Sequence, residues 1–161
     1  MLFLPFLNLE KTIFNKPVSV VVCAKNELDN LQKHLPTWLN QSYPDFELII
    51  VNDESTDGSY EFLTNMCSEI SNLKVVHIDK SQEQNRDLAK LKGKRYALRK
   101  GILSAESDYL LLTDADCFPV SVDWITEMTK AFSNSKIDVV LGYSPYIKKK
   151  GILKIEAIIT H

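Results

Sequence analysis

Glycine is scarce in this chain, five in 161 residues: Gly58, Gly93, Gly101, Gly142 and Gly151. None of them forms a G-x-G-x-x-G turn or a Walker-type loop after a strand, which removes the two commonest backbone cradles for phosphate. A G-x-S-x-G elbow is also missing, so a serine nucleophile of that kind is excluded. The three cysteines, Cys23, Cys67 and Cys117, are odd in number and widely spaced. They supply no disulfide framework and point to a reducing compartment. With only His34, His77 and His161 beside them, no Cys/His set has zinc spacing. Nor is there an excess of positive charge: 19 Lys+Arg stand against 21 Asp+Glu. That balance excludes a nucleic-acid binder driven by bulk charge.

What remains is an ordinary globular composition, 45% hydrophobic and 25% charged, long enough to bury one core. The start, Met1 to Leu9, is almost wholly apolar. It is far short of the roughly 20 residues that span a bilayer and lacks a signal peptide's basic region and cleavage site. It reads as an arm packed on the domain, or as a membrane-interface segment or the stub of a transmembrane helix.

From Pro17 onward two periods alternate. Val18 to Ala24, Phe46 to Val51, Leu73 to Ile78, Tyr109 to Thr113 and Ile137 to Leu141 read as strands, the first as a continuous β-branched run of the kind buried on both faces. Helical spacing runs through Glu27 to Gln41, Asp57 to Ile70, Gly93 to Ala105 and Val122 to Phe132, and Gly151 to His161 opens another helix. Pro36 is expected to kink the first helix or end its regular part. The alternation predicts an α/β fold, a mostly parallel sheet with helices on both faces. In such sheets ligands bind outside the carboxyl ends of the strands. Three segments lie there: Cys23 to Glu27, Val51 to Gly58 and Thr113 to Phe118.

Each segment carries chemistry. Asp114-Ala115-Asp116 ends a leucine-rich strand, and alternate residues at a strand end point the same way. Two carboxylates that close repel unless a cation sits between them, and oxygen-only ligands suit Mg²⁺ or Mn²⁺ sharing substrate phosphate oxygens. A turn and helix cap before Pro119 is the plainer reading of the same residues. In Val51-Asn52-Asp53-Glu54-Ser55-Thr56-Asp57-Gly58, Asp53 can accept an N–H from a base edge, while Ser55, Thr56 or Asp57 can cap the next helix. Ala24-Lys25-Asn26-Glu27 can pack against a flat base, or can start a helix with Asn26 as cap and Glu27 favouring the dipole. Lys80, Arg86, Lys90, Lys92, Lys94 and Arg95 face only Glu83 and Asp87 across Lys80 to Arg95. That excess, leading into a helix at Gly93-Lys94-Arg95, suits a diphosphate; a solvated face is the bland alternative. Lys148-Lys149-Lys150 reads as surface or as a contact with anionic lipid.

These four motifs, in this order, resemble the nucleotide-binding half of a family 2 glycosyltransferase with the A-type, Rossmann-like fold. The resemblance runs from about Pro17 to Tyr143. It rests on Ala24-Lys25-Asn26-Glu27, on Val51 to Gly58, on Gly93-Lys94-Arg95-Tyr96-Ala97 and on Asp114-Ala115-Asp116. The departures are Lys25, where an aromatic is common, and Asn52 and Glu54. The resemblance implies a nucleotide diphosphate sugar as donor, most often a uridine diphosphate sugar, and a glycan or lipid-linked acceptor. It places Ala24, Asn26 and Glu27 along base and ribose, Asp53 on the base, Lys94 near the base or diphosphate, Asp114 on ribose or metal, and Asp116 on the metal. It implies inverting transfer that serves cell-envelope polysaccharide synthesis, and the apolar start together with the basic Lys148 to Lys150 suggests work at the cytoplasmic, inner face of a membrane.

The expected organisation is an arm over residues 1–16, a nucleotide-sugar-binding domain over 17–143, and the start of an acceptor half over 144–161. The general base of such a reaction takes the acceptor's proton. Asp123, Glu127, Asp138 and Glu156 are the acidic residues after Cys117, and none matches the family's base. The base is therefore expected beyond His161, with the 161-residue chain inactive alone. A nucleotide-sugar-binding module without catalysis, or a nucleotidyltransferase, are the competing readings.

Overall fold

The computed structural model describes residues 14–79, 91 and 93–142. In chain order the elements are β1 (Val18–Ala24), α1 (Leu28–Leu39), β2 (Phe46–Asp53), α2 (Ser59–Glu69), β3 (Leu73–Ile78), α3 (Lys94–Ser104), β4 (Tyr109–Asp114) and α4 (Trp124–Thr129), which runs into a 3₁₀ turn at Lys130–Ser133. The four strands form one sheet in the order β3-β2-β1-β4. Every pairing is parallel.

The two faces of β1 explain its almost wholly apolar run. Val18, Val20, Val22 and Ala24 join one core with Leu31, Leu35 and Trp38 of α1, Leu63 of α2 and Ile125 of α4. Val21 belongs to the other core, with Ile49, Val51, Tyr96 and Ala97. Helices therefore cover both faces, α1, α2 and α4 on one and α3 on the other, and a strand between them has no side for polar residues. The polar exception, Ser19, is fully buried. Its Oγ donates to Glu47 Oε1 at 2.6 Å and accepts from Ser107 N–H at 3.1 Å.

Gly101 sets how closely α3 lies on the sheet. A Cβ at this position would come within 2.5 Å of Val21 Cγ1 and 2.8 Å of Val51 Cγ2. The helix backbone thus rests directly on the two central strands.

Some expectations need correction. Residues 137–141 form no strand; they are irregular. Helix α1 continues past Pro36 to Leu39, closing with Asn40 N–H on Pro36 O at 3.0 Å. Asn26 does not cap α1: the N-cap position is Glu27, with no side-chain cap bond of its own. The apolar arm before Phe14, the basic stretch 80–90, Lys148 to Lys150 and the helix opening at Gly151 lie outside the described residues. Among those described, no helix is long and apolar enough to cross a membrane.

Candidate functional site

The chain lays down β2 and β3 on one side of β1 and then returns to place β4 on the other. The reversal point lies between β1 and β4, where open parallel sheets leave a crevice at the strands' carboxyl ends. Register brings Cys23 of β1 opposite Asp114 of β4, and Ala24 opposite Asn52 of β2. A cavity of about 340 Å³ opens there. Of the residues expected to bind, Ala24, Glu27, Asp53, Lys94, Asp114 and Asp116 all line it.

Asn26 lies in an adjoining hollow instead, with Glu27, Leu28, Asp29, Asn30 and Asp57. Its φ of 54° is left-handed, a conformation asparagine tolerates better than most residues. Its Oδ1 accepts Thr56 N–H at 2.8 Å, and its own N–H donates to Ser55 Oγ at 2.9 Å. Asn26 thus ties the loop after β1 to the loop after β2. Asp57 makes a second tie. Its Oδ2 accepts Leu28 N–H at 2.9 Å, at the start of α1, and its Oδ1 accepts Ser59 N–H at 3.1 Å and Ser59 Oγ–H at 2.6 Å, at the start of α2. One carboxylate therefore satisfies orphan N–H groups on two helices. Burial opposes its ionisation, but the bonds from Ser59 and the Leu28 N–H outweigh that and hold its pKa below the ordinary value.

The cavity wall carries four carboxylates, Glu27, Asp53, Asp114 and Asp116, against two ammonium groups, Lys25 and Lys94. Lys25 Nζ lies 3.9 Å from Asp53 Oδ2, so the residue that departs from the family pattern sits beside the one that matches it. Lys94 Nζ meets Asp114 Oδ1 at 2.5 Å. The bond to Asp114 raises the Lys94 pKa against the opposing effect of partial burial. Burial pushes the Cys23 thiol up to about 11, with Lys94 pulling the other way, so Cys23 is a neutral wall of the cavity at neutral pH.

An anionic ligand entering a wall with excess negative charge needs a cation alongside it. Asp114 and Asp116 flank the buried Ala115 and both face the cavity. Their all-oxygen donors suit a hard divalent ion. Among the described residues no cluster of three or more metal-ligating side chains occurs. Two carboxylates would thus leave most of the shell to water and ligand oxygens, the usual arrangement for Mg²⁺ beside phosphates.

Sequence reasoning singled out the segments that hold Cys23, Lys25, Gly93, Ala97 and Ala115 but gave these five lining residues no binding role of their own. It missed His34, which is buried and stacks on Phe118 with centroids 4.5 Å apart and planes 10° from parallel. That stack fastens α1 to the loop carrying Asp116. Burial first, then the charge of Lys33, lowers the His34 pKa, so the ring is neutral at neutral pH. The apolar spacing of α1 marked the face His34 occupies, but nothing in the sequence named Phe118 as its partner. Behind Asp53, Asn52 Nδ2 and His77 Nδ1 are 3.3 Å apart, and burial lowers the His77 pKa.

The family model described as "Glycosyl transferase family 2" matches residues 19–158. Among curated proteins, the chain is 28% identical over 127 residues to "Glycosyltransferase AglE" of Haloferax volcanii, covering 78% of this chain and 38% of that protein. It is 31% identical over 143 residues to a poly-beta-1,6-N-acetyl-D-glucosamine synthase of Staphylococcus epidermidis, covering 88% of this chain and 32% of that one. The chain thus spans about a third of the length of these relatives. Among solved structures, the mannosyltransferase PcManGT from Pyrobaculum calidifontis, in complex with GDP-Man and Mn²⁺, superposes with a TM-score of 0.62 at 24% identity, over 75% of this chain and 33% of that one. S. aureus TarS in complex with UDP-GlcNAc gives 0.55 at 24% identity, over 74% of this chain and 31% of the other. These likenesses show the A-type glycosyltransferase fold.

Proposed function

This chain belongs to glycosyl transferase family 2, and on that premise we propose that it is the donor-binding part of an inverting, metal-dependent glycosyltransferase. The donor is a nucleotide diphosphate sugar, a uridine diphosphate sugar first, and the acceptor a glycan or a lipid-linked sugar. The enzyme serves polysaccharide synthesis at the cytoplasmic face of a membrane. The observation that carries this reading is the convergence of Asp53, Lys94, Asp114 and Asp116 in one cavity at the switch point of the sheet. The named ligands of the solved relatives, GDP-Man with Mn²⁺ in one and UDP-GlcNAc in another, support a nucleotide-sugar donor. The relative that makes poly-beta-1,6-N-acetyl-D-glucosamine supports a polysaccharide product.

The residues divide the work. Asp53 is 4% exposed, and in this reading it accepts the imide N–H of the base, a charge-assisted bond made where water is scarce. Ala24, small and buried, leaves room for the flat ring. Glu27 faces the ribose, with Asn26 holding its loop in place. Lys94 reaches the diphosphate from the start of α3. The acceptor oxygen bonds to the anomeric carbon as the bond from that carbon to the diphosphate oxygen breaks, and the electron pair leaves with the diphosphate. Asp116 and Asp114 would hold Mg²⁺ or Mn²⁺, which when bound would supply charge to stabilise the departing diphosphate.

The base that takes the acceptor proton is proposed to lie outside this cavity. Asp123 Oδ1 accepts a hydrogen bond from Ser42 Oγ at 2.6 Å and Glu127 pairs with Lys130; neither lines the cavity. Calorimetry tests the binding half. Uridine diphosphate binds in Mn²⁺ or Mg²⁺ and more weakly to the Asp116→Ala variant. Equal affinity in a chelator would sink the metal assignment, and a preference for guanosine or cytidine diphosphate would sink the role of Asp53.

A further inference from the structure

Asp114 faces the cavity with Asp116, yet one of its oxygens is already held by Lys94 Nζ at 2.5 Å. Both partners are accessible, with side chains 64% and 47% exposed. An ion pair so open to water is weak and exchangeable. Its lysine is the first residue of α3, directly after Gly93 at φ +56°. The far end of α3 is pinned to the sheet at Gly101, so the side-chain stem, rather than the helix, is free to swing. One further charge bears on this ammonium: Asp116, which lines the same cavity and favours its protonated form.

We propose that Lys94 is a resident counter-cation at Asp114, so that its ammonium and a divalent ion compete for the same carboxylate. A nucleotide diphosphate relieves the competition by offering Lys94 phosphate oxygens of its own, and metal and nucleotide therefore bind cooperatively. The physical reason is simple repulsion. A divalent ion on Asp114 would stand within a few ångströms of an ammonium, and like charges at that range oppose each other strongly wherever water does not fully screen them. A second anion placed between them removes the conflict. Lys94 thereby acts as a positioning residue that keeps the metal from entering a cavity without donor. Only the second half of this proposal, relief by nucleotide, rests on reading the cavity as a donor site.

The experiment titrates Mn²⁺ alone, following the free-ion paramagnetic resonance signal, into the parent chain and its Lys94→Met and Lys94→Arg variants. It then repeats the titration with saturating uridine diphosphate. Thermal melts of each variant check the fold, which an exposed side chain leaves intact. Lys94→Met should bind Mn²⁺ alone about tenfold more tightly than the parent, the scale on which one neighbouring charge moves a carboxylate equilibrium. Lys94→Arg, which keeps the cation, should match the parent. The factor by which uridine diphosphate tightens Mn²⁺ should shrink in Lys94→Met. Unchanged Mn²⁺ affinity in Lys94→Met, or an equal gain in Lys94→Arg, overturns the competition. If uridine diphosphate binds none of the three proteins, relief by nucleotide and the donor-site reading both fall, while the titration with Mn²⁺ alone still decides the competition.

Discussion

At the residue scale, Asp57 shows how much one carboxylate can hold. It bonds the first N–H of α1 and the first N–H and hydroxyl of α2, and those two helices follow the strands that end at the cavity. Replacing it with alanine removes both caps at once. The expected loss is about 2 kcal/mol, on the scale of roughly 1 kcal/mol per good cap, measured by urea unfolding at pH 7. The pH dependence has a definite sign. The folded pKa lies below the ordinary 3.8, so the unfolded chain takes up the proton first as acid is added. The stabilisation from Asp57 is complete above that ordinary value and disappears as pH falls through the folded one. The gap between parent and Asp57→Ala should therefore narrow only below about pH 4. A gap that stays constant down to pH 3 would show that the ionised form is not what the two helices use.

At the scale of elements, α3 is the piece whose placement matters most for the cavity, because it carries Lys94 at one end and packs through Gly101 near the other. An alanine at position 101 gains helix propensity. It also drives a methyl group into Val21 and Val51 at 2.5 and 2.8 Å, and both valines are fully buried. Overpacking should win, with Gly101→Ala destabilising by about 1–3 kcal/mol. The variant should also bind uridine diphosphate more weakly, since lifting α3 carries Lys94 with it. Parent-like melting of Gly101→Ala would mean that the two valines yield at little cost.

At the scale of the whole molecule, the described residues build a crevice at the carboxyl ends of the strands. Four parallel strands, helices on both faces and a cavity at the switch point form the proposed donor site. Transfer needs more, because an acceptor must be oriented and its proton removed. The 161-residue chain is expected to bind uridine diphosphate with Mn²⁺ and to melt at a higher temperature in their presence. It is expected to transfer sugar negligibly, with slow donor hydrolysis at most. Radiolabelled donor incubated with membranes and the chain measures this. Robust transfer would assign the base to this chain, with Asp123, Glu127, Asp138 and Glu156 as the substitutions to test next.

The strands and the identity of most cavity residues were legible in the sequence, for physical reasons that act locally. A strand buried on both faces must be almost wholly apolar, which made β1 readable to the residue. A pair of carboxylates at the end of a leucine run, as in Asp114-Ala115-Asp116, has few structural uses. Residues 137–141 misled because a short apolar run says nothing about whether a neighbouring strand is there to pair with it. Side-chain partners were decided only in three dimensions. Lys94 and Asp114 meet because the chain returns past β1 to place β4 beside it. Asp57 reaches α1 because β1 and β2 are adjacent and in register. Gly101, one glycine among five, acquires its meaning from two valines on different strands. Local pattern sets which residues are buried or polar, whereas which of them touch depends on strand order and register, and those are properties of the assembled sheet.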